Sequence, residues 1–212
     1  MLVRRVVRAP VAAALGGSAL AGRAAEAEAS ADASVADILR REIDPERTFP
    51  LAAAQRAQKH HLIHSRRDAD AFQTFRVGYV ADDPRDGIEA LVRMGPSLEG
   101  HRGIIHGGCT AAVCDELFGW ASYLCLPPAE RAPFFTASLT VDYRAPVPTN
   151  APVLARVHVE PLDGRKLRMR ARLTSVDERT VFVDAKALFV KPKRTDELIM
   201  RVYEYGRSLL ST

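Results

Sequence analysis

Between residues 70 and 193 only one stretch reads as a long helix, from about Gly107 to Leu126. It stops at Pro127-Pro128, which lack the N–H groups a helical ladder needs. On either side the apolar residues recur at every second position. Phe75, Val77 and Tyr79 alternate, Ile88 to Met94 forms a second run, and the turn-rich Asp82-Asp83-Pro84-Arg85-Asp86-Gly87 lies between them. Beyond the helix, Phe134 to Arg144, Pro152 to Glu160, Lys166 to Val176 and Val181 to Val190 read as strands. Asp163-Gly164 and Asp177-Glu178 mark tight reversals between the last three. Strands, one central helix and then an antiparallel meander define an α+β arrangement, in which the helix must be covered by the sheet.

The 212 residues suffice for one domain with additions at both ends. Lys and Arg number 30 against 26 Asp and Glu, for a net charge of +4. Residues 1 to 25 hold Arg4, Arg5, Arg8 and Arg23 and no acid, so the remaining chain has 26 of each and is neutral. A nucleic-acid binder is disfavoured, because the basic excess lies in a tail and not on the domain. Residues 1–33, rich in Ala and Arg, have the composition of a mitochondrial or plastid presequence, and a mitochondrial location is expected. A secretory signal around Val11 to Leu20 and a plain Ala-rich tail are the rival readings, and a tail would leave the protein cytoplasmic. Pro10, Gly16, Gly17, Gly22 and Arg23 break the longest weakly apolar run, Ala9 to Ala25, so no membrane span is expected. Cys109, Cys114 and Cys125 fall in the helical region and read as reduced thiols.

Residues 34–69 carry a helical pattern, with Ser34 as an N-cap ahead of Val35, Ile38 and Leu39, and form a peripheral segment. His60, His61 and His64 have the spacing of two histidines on one helix face, but no HExxH glutamate and no third ligand lie nearby; a solvated helix end is the better reading and no metal is expected. Residues 194–212 read as a C-terminal tail.

The chemistry concentrates in the central helix. Ile104-Ile105-His106-Gly107-Gly108 leads into a first turn with two residues lacking side chains, where a ligand can approach free N–H groups. Those groups, with the positive end of the helix dipole, would polarise a carbonyl. Two turns on, Asp115-Glu116 interrupts apolar sequence. At 100° per residue Asp115 shares a side with Gly108, Ala111, Ala112, Gly119 and Ser122, all small, which leaves room for a substrate beside a carboxylate able to act as general base. An exposed polar stripe is the competing explanation. Glu116 is the adjacent competitor, and a cysteine nucleophile at Cys109 or Cys114 lacks a clear partner.

His106-Gly107-Gly108, six residues and Asp115, followed by Thr136-Ala137-Ser138-Leu139-Thr140-Val141-Asp142-Tyr143-Arg144-Ala145-Pro146, resembles the hotdog-fold acyl-CoA thioesterases of the phenylacetate-pathway type, close to their mitochondrial members. Asp163-Gly164-Arg165-Lys166 and Ser175-Val176-Asp177-Glu178 extend the likeness over residues 70–193. The resemblance implies a long helix wrapped by a curved antiparallel sheet and a homodimer that pairs edge to edge and shares two active sites, with a dimer of dimers as the larger assembly. It implies an acyl-CoA substrate and no cofactor. Asp115 matches the catalytic acid, Gly107 the N–H that binds the thioester oxygen, His106 the histidine that buttresses the turn, and Thr136 the hydroxyl that places water. Many members have Asn six residues before the histidine, where this chain has Gly100. Gly108 belongs to the same substrate-binding turn, and Arg165 and Lys166 match the basic pair near the CoA phosphates. Arg144 is a third candidate, and Asp142 stands where relatives often have an amide. The other basic residues of that strand, Arg168, Arg170 and Arg172, fit a solvated outer sheet face paired with Glu160 and Asp184. Phe118, Trp120, Tyr123 and Phe134-Phe135 suit an acyl tunnel or simple core packing. The alternative to an enzyme is a non-catalytic acyl-CoA-binding or protein-interaction hotdog module. A hotdog dehydratase is weaker, since its Asp pairs with a histidine five residues on, where this chain has Trp120.

Overall fold

A computed structural model describes residues 69–80 and 83–193, together with Leu62, Ile63 and Arg66. The expectations for residues 1–33, for most of 34–69 with its three histidines, and for 194–212 lie outside these residues. The elements in order are β1 (Phe72–Tyr79), β2 (Ile88–Met94), β3 (Glu99–His101), β4 (Ile104–Ile105), α1 (Gly107–Leu124), β5 (Phe135–Tyr143), β6 (Pro152–Val159), β7 (Lys166–Ser175) and β8 (Val181–Val190). Six strands form one antiparallel sheet in the order β1-β2-β6-β7-β8-β5, and β3 pairs with β4 in a small separate ladder. The expected α+β hotdog arrangement is what the chain adopts.

Period-two alternation gives the sheet one oily face, and α1 lies across it. Val153, Ala155 and Val157 from β6, Leu167, Met169 and Leu173 from β7, and Val183 and Phe189 from β8 are all buried in the core that α1 enters with Val113, Leu117, Phe118 and Leu124. Fully burying one such large side chain is worth about 1.5–3 kcal/mol. Phe118 meets Phe189 edge to face at 6.3 Å, so this phenylalanine belongs to the core. The outer face of β7 carries Arg168, Arg170 and Arg172, and as expected Arg170 pairs with Glu160 and Arg172 with Asp184, each at 2.9 Å.

The boundaries shift in ways the local chemistry explains. The helix ends at Leu124, with Cys125 as its cap, two residues before the expected end. Leu126 precedes a proline, which disfavours helical backbone there. β3 escapes sequence reading because three residues centred on Gly100 carry no alternation. Both tight reversals form, with Gly164 and Glu178 in left-handed backbone at φ +59°.

At Gly87 the requirement for glycine is absolute. Its φ is +120°, and an added Cβ would lie 2.0 Å from the Val157 carbonyl oxygen of the neighbouring strand. Gly87→Ala should therefore cost about 3 kcal/mol or more of folding stability. Urea denaturation of the variant measures this directly, and an unchanged midpoint would contradict the close strand approach.

Candidate active site

The site begins with the turn that starts α1. Ile105 N–H donates to Val147 O at 2.9 Å and His106 N–H to Leu98 O at 2.8 Å, which fixes where the chain enters the helix. His106 is the N-cap in extended backbone (φ −60°, ψ 131°). The first four N–H groups, those of His106, Gly107, Gly108 and Cys109, lie outside the helical ladder. His106 donates to Leu98 O as above, Gly108 donates to His106 Nδ1 at 2.9 Å, Cys109 donates to His106 O at 2.9 Å, and Thr110 opens the ladder on the same oxygen at 3.1 Å. The remaining one, Gly107 N–H, has no acceptor among the described residues. A lone donor at the positive end of a helix dipole suits a developing oxyanion.

The glycines are required by packing as much as by access. A Cβ on Gly108 would sit 3.0 Å from His106 Nδ1 and 3.1 Å from Cε1, tight enough to disturb the imidazole that caps the turn. A Cβ on Gly107 would only touch the Tyr143 ring at 3.4 Å. Gly100, the departure from the family pattern, packs on the other side of the same imidazole: its Cβ would lie 3.0 Å from His106 Cδ2. A larger side chain there would have to share space with His106.

Asp115 lies half-buried on α1 and accepts a hydrogen bond from Thr136 Oγ1 at 2.8 Å. Sequence alternation alone does not aim Thr136 at the helix. Its even-numbered successors Ser138, Thr140 and Asp142 lie opposite Leu188, Lys186 and Asp184, on the outer row of β8. A bulge between Thr136 and Ser138 absorbs Ala137 and sets Thr136 opposite the buried Phe189, on the helix side. Bulges re-aim side chains in this way. Gly119, one turn after Asp115 on the same face, has open space where its Cβ would be, so the room expected beside the carboxylate is present.

The competitors separate clearly. Glu116 Oε1 accepts the indole N–H of the buried Trp120 at 2.9 Å, which gives this acid a structural partner on a different side of the helix. Burial pushes the Cys114 and Cys125 thiols up to about 12, and it also raises Cys109, so all three stay protonated near neutral pH and are poor nucleophiles. They are free thiols, as expected.

The remaining predicted residues fall into two groups at opposite ends of β5. Arg165 and Lys166 open β7, whose Lys166 lies opposite Val190, itself opposite Phe135 at the start of β5. Arg165 Nη1 donates to Lys191 O at 2.7 Å. Arg144 and Asp142 are at the far end, beside Gly107: Arg144 Nε donates to Asp184 at 3.2 Å and its Nη2 lies 3.8 Å from Asp142. Those two arginine contacts offset the like-charge pairing of Asp142 with Asp184 across the strands. Gly107 and Asp115 are likewise apart, since eight residues of helix rise about 12 Å. Sequence reasoning missed Tyr143, whose hydroxyl donates to Gly107 O at 2.8 Å. Its signal was the alternation Leu139, Val141, Tyr143, which places it on the helix side of β5.

The sequence model of the thioesterase superfamily matches residues 102–182. Acyl-coenzyme A thioesterase THEM4 of Xenopus laevis is 39% identical over 102 residues, covering 48% of this chain and 43% of the relative. The THEM5 enzyme of Mus musculus is 31% identical over 101 residues, or 48% of this chain and 39% of the relative. The chain thus spans less than half the length of these curated relatives. The crystal structure of zebra fish thioesterase superfamily member 2 superposes with a TM-score of 0.53 at 13% identity, over 68% of this chain and 94% of that one, a likeness of fold. Residues 102–182 thus match the thioesterase superfamily, and the helix-on-sheet architecture described above is the hotdog fold.

Proposed function

We propose that the protein is an acyl-CoA thioesterase that hydrolyses a fatty or aryl acyl-CoA to the free acid and CoA. The observation that carries this reading is the Asp115 carboxylate, held by the Thr136 hydroxyl on a helix face with open space beside it. Asp115 takes a proton from water as the water oxygen attacks the thioester carbonyl carbon. The carbonyl oxygen gains the negative charge and is held by Gly107 N–H. Collapse of the intermediate breaks the C–S bond, and the proton on Asp115 passes to the departing CoA thiolate. Losing one such oxyanion donor typically costs about 2.7–4 kcal/mol of barrier.

The geometry supports a site made by two copies. One chain's Gly107 N–H and Asp115 are about 12 Å apart along the helix, too far to serve one carbonyl together. Among the described residues β5 is an edge strand of the sheet. Antiparallel pairing of two β5 edges about a two-fold axis would place the Tyr143 end of one beside the Thr136 end of the other. Gly107 of one copy would then face Asp115 of its partner, and Arg144 would approach the partner's end that carries Arg165 and Lys166. The separated residues of one chain become neighbours in such a pair, which is where CoA phosphates find their cations. The acid-free, Arg-containing residues 1 to 25 support a mitochondrial location.

Thiol release from a panel of acyl-CoAs of different chain type tests the reaction and reads the substrate class together. Asp115→Asn should lower kcat by about a hundredfold or more, whereas Cys109→Ser should retain wild-type turnover. Equal hydrolysis by wild type and Asp115→Asn, or tight acyl-CoA binding with no turnover by wild type, contradicts the enzyme reading; the latter result identifies a binding module.

A further inference from the structure

We infer that Tyr143 is a positioning residue for the oxyanion donor, acting through the Gly107-Gly108 peptide; this rests on the thioesterase reading of that turn. The carbonyl of this peptide, Gly107 O, accepts from Tyr143 Oη at 2.8 Å. Its N–H, on Gly108, donates to His106 Nδ1 at 2.9 Å. One peptide plane is therefore gripped at both ends, by a tyrosine from β5 and by the histidine that caps α1.

The grip matters because two successive glycines have wider φ/ψ freedom than any pair that carries side chains. The preceding peptide carries the donor N–H of Gly107, and its carbonyl is already fixed by the N–H groups of Cys109 and Thr110. What remains adjustable is the backbone at Gly107 itself, and holding the next plane fixes it. The Tyr143 ring adds a steric wall, with Cε1, Cζ and Oη all 3.4 Å from where a Gly107 Cβ would lie. A hydroxyl on the carbonyl also draws density from the amide, so the Gly108 N–H becomes a better donor to His106. Burial pushes the Tyr143 phenol up, with the Cys114 thiol adding to the shift, so the group remains a donor at neutral pH. Tyr143 is nonetheless 54% exposed, on the edge strand where a second copy would pair, so core packing alone does not hold it against the turn.

Tyr143→Phe keeps the ring and deletes only the donor. With acyl-CoA substrate its kcat should fall about tenfold, about 1.4 kcal/mol of barrier, with KM essentially unchanged. Amide hydrogen exchange at Gly108 should accelerate about tenfold while that of Val113 and Leu117, deeper in α1, stays at the wild-type rate. The melting temperature should not move. Wild-type kcat together with wild-type Gly108 exchange in the variant overturns the proposal, as does a general loss of stability with faster exchange along the whole helix. Wild-type protein that releases no thiol counts against the enzyme reading, and Gly108 exchange in Tyr143→Phe still decides the positioning claim.

Discussion

An α-helix opens with donors that its own ladder cannot satisfy, and among the described residues all but one of them here find an acceptor. His106 does most of the work, accepting with both its carbonyl and its imidazole. The rest of the site follows from that distribution. The glycines at 100 and 108 leave space for the imidazole, β3 and β4 hold the entry to the helix, and β5 reaches back with Tyr143 to steady the turn. The one donor left over faces outward at the positive end of the helix. Such a device needs no nucleophilic side chain. In the proposed reaction its selectivity would come from geometry, since a carbonyl oxygen would have to be delivered to a fixed N–H.

The second constraint is the rise of the helix. A carboxylate eight residues from that donor sits on the correct face but at the wrong distance for a single-chain site. Evolution could have shortened the spacing; a symmetric pair of chains achieves the same closeness without changing it. Among the described residues no strand covers the outer edge of β5, which also favours pairing, because such an edge presents unpaired backbone groups. In this arrangement the sheet edge, the helix start, the carboxylate and both basic groups have one common explanation.

The architecture was largely legible in the sequence because its signals are local. Alternation in Lys166 to Val176 and Val181 to Val190, the proline stop after the helix, and Asp163-Gly164 at a turn each state their element directly. The partner acids of Arg170 and Arg172 were also readable, since cross-strand neighbours follow from period two. What alternation could not supply was any feature that departs from it. Ala137 gives no warning that it is a bulge, so the inward aim of Thr136 came only from the family likeness. The pairing of Glu116 with Trp120 was available in principle from their i, i+4 spacing, yet nothing in the sequence favoured it over an exposed acid. Tyr143 was hidden differently: its ring fitted the inward row, and only tertiary geometry reveals what its hydroxyl touches.

The central claim is that one copy supplies the oxyanion donor and the other the carboxylate, and mixing two inactive variants tests it most directly. Gly107→Pro deletes the donor N–H at a first helical position that accepts proline, after a residue already in the extended backbone proline demands. Asp115→Asn deletes the base. Each variant alone should be nearly inactive. After subunit exchange, every mixed dimer contains one intact site, so about a quarter of wild-type turnover should return. Mixtures no more active than the separate variants, under conditions where exchange is verified, would contradict a site shared between two chains.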